Sequence, residues 1–143
     1  MTIRYLLDSD ICIYLMKHRP AAVLRRLGKL SPGNAGVSVI AFGELCLGTE
    51  QSRDPESARA NLDTLTEIAP VRLLPANAGG EYARIRHHLA TAGRLIGGND
   101  LWIAAHALAE EAVLVTNNER EFRRVPGLRM QNWIRWRRSS GRA

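Results

Sequence analysis

Apolar and polar positions alternate along this chain in short blocks, and the blocks predict strands and helices in turn. Ile3 to Leu7 is an apolar run of the kind that becomes a buried strand. It ends in Asp8-Ser9-Asp10, after which Ile11, Ile13, Tyr14 and Leu15 continue at roughly helical spacing. Ser9 or Asp10 can cap that helix. Pro20 suits the first turn of a second helix, Ala21 to Leu27, and Ser31-Pro32-Gly33-Asn34 is a turn signal. Gly36 to Val39 reads as a strand, with Ser38 available to cap a helix from Ile40. Arg53 to Ile68 is a polar-faced helix that stops before Pro70, and Val71 to Leu74 is a strand.

The second half repeats the alternation. Gly79 to Ala92 reads as a helix closed by Gly93 at its C′ position. In 95-LIGGNDLWIAAHALAEEA-112 the glycines permit a close turn, Asn99 offers a cap, and Asp100 falls in the first turn of an apolar helix. Val113-Leu114-Val115 is a buried strand running into Thr116-Asn117-Asn118. Glu119 to Arg124 forms a short helical turn, and Leu128 to Met130 is the last strand. Short strands alternating with helices predict an α/β fold, a central and mostly parallel sheet with helices on both faces. No repeat or linker divides the 143 residues, so they read as one domain with a core from about 3 to 133. The basic tail from 134 to 143 follows Trp133, which is expected to dock on the body, whereas Trp136 and its flanking arginines suit either docking or nucleic acid.

Composition narrows the function classes. Hydrophobic residues at 45% and charged residues at 24% are globular values. No apolar run approaches the roughly 20 residues of a membrane span, and the first residues do not resemble a secretory leader. Cys12 and Cys46 lie within apolar helical patterns and read as small buried hydrophobes. A reduced, cytoplasmic protein is the expectation. The net charge of +6 points toward polyanions. Lysine occurs only at 17 and 29, the other basic residues being arginine, which grips phosphate with two parallel bonds. A GC-rich genome would produce the same bias.

Three acids stand out. Asp8 ends the first strand, where a strand running into a helix sets carboxylates at the ligand-binding edge of an open sheet. Glu44 is alone among Ile40, Phe42, Leu45 and Leu47, where burial without a partner is costly. Asp100 opens a helix. Each also has a plain structural explanation: a cap for the Asp8-Ser9-Asp10 run, a solvent edge for Glu44, and the helix dipole for Asp100. If parallel topology gathers them at one edge, they cannot all stay ionised without a cation. Mg²⁺ or Mn²⁺ takes oxygen ligands and can activate water against a phosphodiester. His87 and His88 lack a third ligand at metal spacing, and His106 reads as packed or surface.

The succession LLDSDICIYL, VSVIAFGEL, IGGNDLWIAAHAL and LVTNNEREFRRVPGLRMQNW resembles the PIN-domain ribonucleases, and within them the VapC toxins of bacterial toxin–antitoxin pairs. The likeness runs from about Ile3 to Trp133, and TNN-x-REF-x-RV-x-GLR followed by Trp is its most specific part. It implies a PIN-like three-layer α/β/α fold and Mg²⁺-dependent hydrolysis of RNA. Asp8 and Asp100 would be metal ligands, and Glu44 would bind metal or orient the water. It also implies a VapB-like antitoxin, a homodimer, and a leaning to structured RNA such as the anticodon loop of initiator tRNA.

Two positions depart from that pattern. Asn118 stands where many PIN domains carry a fourth acid, so Glu121, one turn on, either completes the site or faces solvent. Asp10 stands where Asn is usual, and either alters the metal site or caps the helix. Thr116 and Asn118 are candidates to support the ligands. The rival chemistry is a HAD-like phosphatase, with Asp8 as nucleophile and Asp10 as acid. Against it, Ile11 follows Asp10 and no paired acids follow Thr116. The non-enzymatic rival is an RNA- or partner-binding module whose acids are caps.

Overall fold

A computed structural model describes residues 3–18, 21–30 and 33–134. Five strands, β1 (Tyr5–Leu7), β2 (Ala35–Ser38), β3 (Val71–Arg72), β4 (Val113–Val115) and β5 (Met130–Gln131), form one sheet in the order β3-β2-β1-β4-β5. All four pairings are parallel, with Leu6 opposite both Gly36 and Leu114. Every residue of β1 is buried, as a central strand covered on both faces requires. Burying Leu6 and Leu7 contributes roughly 1.5–3 kcal/mol each.

The helices are α1 (Ser9–His18), α2 (Ala21–Lys29), α3 (Val39–Glu50), α4 (Pro55–Ile68), α5 (Ala78–Thr91), α6 (Gly98–Ala109) and α7 (Glu119–Phe122). After β1 the chain adds β2 and β3 on one side, then α5 and α6 carry it back to place β4 on the other side of β1. The strand order therefore reverses between β1 and β4. The crevice at the carboxyl ends of such a pair is where open α/β sheets bind ligands.

Several boundaries differ from the sequence expectation, each for a visible reason. Asp8, not Ser9 or Asp10, caps α1: its Oδ1 accepts from the Ile11 amide at 2.9 Å. Gly97 rather than Asn99 holds the cap position of α6, leaving Asp100 third in the helix. Strand β3 stops at Arg72 because its partner β2 ends at Ser38, and Leu73 beyond it is 76% exposed. At the last strand, Gly127 turns at φ +79° and pairing with β4 begins only at Met130. Gly93, at φ +68°, does close α5: its amide and that of Arg94 donate to the carbonyls of Ala90 and Leu89. Trp133 docks as expected, 1% exposed, edge-on to Tyr5 at 5.4 Å and donating to Gln131 Oε1 at 3.0 Å. Trp136 and its arginines lie outside the described residues. Cys12 is buried and Cys46 half-buried, both as free thiols. No helix among the described residues is long and apolar enough to cross a membrane.

Candidate active site

The reversal point puts Asp8 and Thr116 side by side, because Leu7 of β1 is in register with Val115 of β4. The Asp8 amide donates to the Val115 carbonyl at 3.2 Å, which continues the sheet by one bond. Thr116 donates its hydroxyl hydrogen to Asp8 Oδ2 at 2.5 Å, and Oδ1 takes the Ile11 amide. Asp8 is only 2% exposed. Burial lifts its pKa to about 7; the two hydrogen bonds work against that rise, and Asp10 and Glu44 add to it.

Glu44 reaches the same edge from the second turn of α3. Ser9 donates to Glu44 Oε1 at 3.0 Å, joining the start of α1 to α3. Asp100 comes from the first turn of α6. Together with Glu44, Gly97, Gly98 and Asn99 it lines an open hollow. Its pKa is raised to about 8, first by burial, then by a side-chain hydrogen bond to Glu121 and the charges of Glu121, Glu44 and Asp8. Glu121 moves the opposite way, lowered by that same bond, by Asn118 and by the Arg124 guanidinium. The pair thus favours a protonated Asp100 beside an ionised Glu121. Asn118 Nδ2 donates to Glu121 Oε2 at 3.1 Å, and the Asn118 amide donates to Thr116 Oγ1 at 2.9 Å.

The structure therefore brings Asp8, Glu44, Asp100 and Glu121 to one edge, tied together by Ser9, Thr116 and Asn118. Asp10 stays out of it: its side chain is exposed, and it acts on Asp8 only through charge. Among the described residues, no three acid, histidine or cysteine side chains stand ready-made as a metal cage. The donor set is nonetheless all carboxylate oxygen, and the charges of its neighbours add to the cost of ionising Asp8 and Asp100. That conflict is what a hard divalent cation relieves. His106 is fully buried and outside this set, with Nδ1 3.1 Å from Ser38 Oγ and Nε2 3.7 Å from Glu110 Oε2. Glu110 in turn pairs with Arg72 at 3.1 Å. The Ser9–Glu44 and Ser38–His106 contacts join residues 35 and 68 positions apart, beyond what local spacing reveals.

An all-parallel α/β sheet with four carboxyls at its reversal point defines an acid-edged domain suited to cation-assisted chemistry. Residues 5–128 match the PIN domain family. The chain is 41% identical over 133 residues to Ribonuclease VapC2 of Haemophilus influenzae, covering 92% of this chain and 99% of that one. It is 37% identical over 131 residues to the tRNA(fMet)-specific endonuclease VapC of Shigella flexneri, covering 92% and 98%. Among solved structures, VapBC2 from Rickettsia felis bound to a DNA fragment from their promoter superposes with a TM-score of 0.86 at 36% identity, covering 92% and 99%. The chain belongs to the PIN-domain family, among its VapC ribonucleases.

Proposed function

We propose that this chain is the toxin of a toxin–antitoxin pair, a divalent-metal-dependent endoribonuclease held silent by a VapB-like antitoxin. The observation that carries the assignment is the convergence of Asp8, Glu44, Asp100 and Glu121 at the reversal point, tied in by Ser9, Thr116 and Asn118. Asp8 and Asp100 would hold the ion, with Glu44 and Glu121 completing the set or orienting water. Thr116 and Asn118 fix the carboxylates from behind. Mg²⁺, or Mn²⁺ in its place, supplies neutralisation of the phosphate and acidification of a water molecule. Glu44, steered by Ser9, is positioned to take a proton from the attacking water.

Water as nucleophile forms the new P–O bond while the bond to the 3′-oxygen breaks, leaving 5′-phosphate and 3′-hydroxyl ends. Relatives named as tRNA(fMet)-specific endonucleases favour structured RNA, initiator tRNA first. Solved relatives that are VapBC complexes, one of them bound to promoter DNA, favour a co-encoded antitoxin, and the toxin is proposed with it as a cytoplasmic homodimer, as the family resemblance implies. The HAD-like alternative loses its support, since Asp10 faces solvent and Asp8 is buried under two hydrogen bonds. The deciding experiment is cleavage of initiator tRNA with Mg²⁺ by wild type and Asp100→Asn. Activity stopped by EDTA and by the substitution, with 5′-phosphate products, is expected. Cyclic phosphate ends or full cleavage by Asp100→Asn would sink it, whereas RNA binding with no cleavage by wild type, and cellular toxicity unchanged in Asp100→Asn, would favour the binding module.

A further inference from the structure

The short helix α7 has two working sides. One presents Glu121 to Asp100, with Asn118 behind it. The other turns Arg120 and Arg123, three residues apart and so on one face, into a separate cleft lined also by Tyr14, Asn117, Glu119 and Asn132. This cleft opens at the same carboxyl edge: Asn117 follows Thr116 at the end of β4, and Asn132 follows Gln131 at the end of β5. Consecutive residues Asn117 and Asn118 thus serve the cleft and the acid site respectively.

The lining has a consistent chemistry. Arg120 and Arg123 are both exposed, and they outnumber the single acid, Glu119. Glu119 Oε2 accepts from Asn132 Nδ2 at 3.2 Å, which directs part of its charge to the cleft wall. The same Asn132 amide donates to Asn117 Oδ1 at 3.1 Å, and Asn132 Oδ1 accepts from the Ile134 amide, so the floor is fixed. Tyr14, half-buried one turn past Asp10, contacts the His18 ring at 4.5 Å and offers an aromatic surface at the rim. Guanidinium groups grip phosphate, aromatic faces take unstacked bases, and amides read base edges.

We propose that this cleft seats a nucleotide flanking the scissile phosphate, with Arg120 and Arg123 on the backbone and Tyr14 against the base. It rests on the endoribonuclease assignment and extends it to how the strand is gripped beside the acids. A strand running from the carboxyl edge over α7 meets the acids on one side and the arginines on the other. The acid set repels RNA unless a cation intervenes, and the cleft supplies the compensating attraction close by.

The test uses the full chain and a fluorescein-labelled 12-nucleotide single-stranded RNA of mixed sequence, read by anisotropy in the Asp100→Asn background. Arg120→Ala/Arg123→Ala is expected to weaken binding at least tenfold. It should also flatten the slope of log K against log salt by about 1.4, since each phosphate contact on a single strand contributes about 0.7. Tyr14→Leu is expected to weaken binding about threefold or more, while Tyr14→Phe, which keeps the ring, binds as the parent does. Arg84→Ala, on the exposed face of α5, serves as the control. In the active background the double variant should raise KM for initiator tRNA tenfold with kcat within threefold. Unchanged affinity and salt slope in the double variant, with circular dichroism matching the parent, overturn the cleft assignment. If cleavage by the parent is still lost in Asp100→Asn, the nuclease survives that result. Conversely, weakened binding with no cleavage by wild type supports the cleft and overturns the nuclease.

Discussion

Asp100 on α6 and Glu121 on α7 are side-chain partners, and their hydrogen bond raises the Asp100 pKa while it lowers that of Glu121. An unfolded aspartate releases its proton near 3.8, whereas Asp100 keeps it to about 8 and Asp8 to about 7. Between those values the folded chain binds more protons than the unfolded one, so stability falls as pH rises. In EDTA, the melting temperature is expected to drop from pH 6.5 to pH 8.5, and Asp100→Asn to flatten the decline. Millimolar Mg²⁺ should restore more stability at pH 8.5 than at 6.5, because it binds the deprotonated carboxylates. A flat melting profile in EDTA over that range would contradict the raised pKa values of Asp8 and Asp100.

Thr116→Val keeps the shape of the side chain and deletes the hydroxyl that serves both Asp8 Oδ2 and the Asn118 amide. Leaving buried polar atoms without their partner costs about 1–3 kcal/mol. The Thr116 bond also holds the Asp8 pKa down, so its loss pushes the pKa further above about 7. Metal affinity is expected to weaken roughly 10–100-fold, measured by Mn²⁺ titration calorimetry at pH 7. Thr116→Ser, which restores the hydroxyl, should recover most of it. Equal affinity in all three proteins would remove Thr116 from the site.

What the chain disclosed of itself follows the range of each interaction. Asp8 and Asp100 were visible because a strand end and a helix start mark them within a few residues. Glu44 was visible as the one acid of an apolar helix. The parallel sheet followed from alternation, though β3 and β5 shifted because pairing depends on where the neighbouring strand ends. Ser9 escaped as the partner of Glu44, and the choice for His106 between packed and surface fell to packed only through its contact with Ser38, since both contacts cross between elements. Asp8 as its own helix cap was hidden by two neighbours that could cap equally well. The role of Glu121 depended on whether α7 faces Asp100, which only packing decides.

Two glycines should respond oppositely to alanine. At Gly36 in β2 an added Cβ would lie 2.5 Å from Arg72 Cγ and 3.0 Å from the Pro70 carbonyl oxygen. That carbonyl accepts from the Val37 amide and sets the β2–β3 pairing, so the chain cannot simply move aside. Gly36→Ala is expected to destabilise by about 1–3 kcal/mol. Gly43, inside α3, has open space around it, and Gly43→Ala should stabilise by roughly 0.5–1 kcal/mol. Urea denaturation of both variants decides the matter. Loss of stability at Gly43 or none at Gly36 would contradict the packing described.

His106 tests the buried side of α6, the helix that carries Asp100. Burial pushes its pKa below 6.5 against the pull of Glu110, with the Arg72 charge adding to the drop, so the folded ring is neutral. An unfolded histidine takes up a proton below about 6.5, and the stabilisation from keeping the ring neutral is therefore lost as pH falls through that value. His106→Gln leaves Ser38 and Glu110 imperfectly matched and should cost about 1–3 kcal/mol at pH 7.5. On acidification to pH 5 the gap between wild type and variant is expected to narrow, because only wild type carries this proton-linked loss. Asp8 and Asp100 act in the opposite sense over that interval, but both proteins contain them, so the difference isolates His106. Urea unfolding of the pair at pH 5, 6 and 7.5 measures it. A gap constant with pH would mean that the folded and unfolded rings titrate alike, and a gap that widens on acidification would mean that the fold holds the imidazolium, as the Glu110 carboxylate alone would favour.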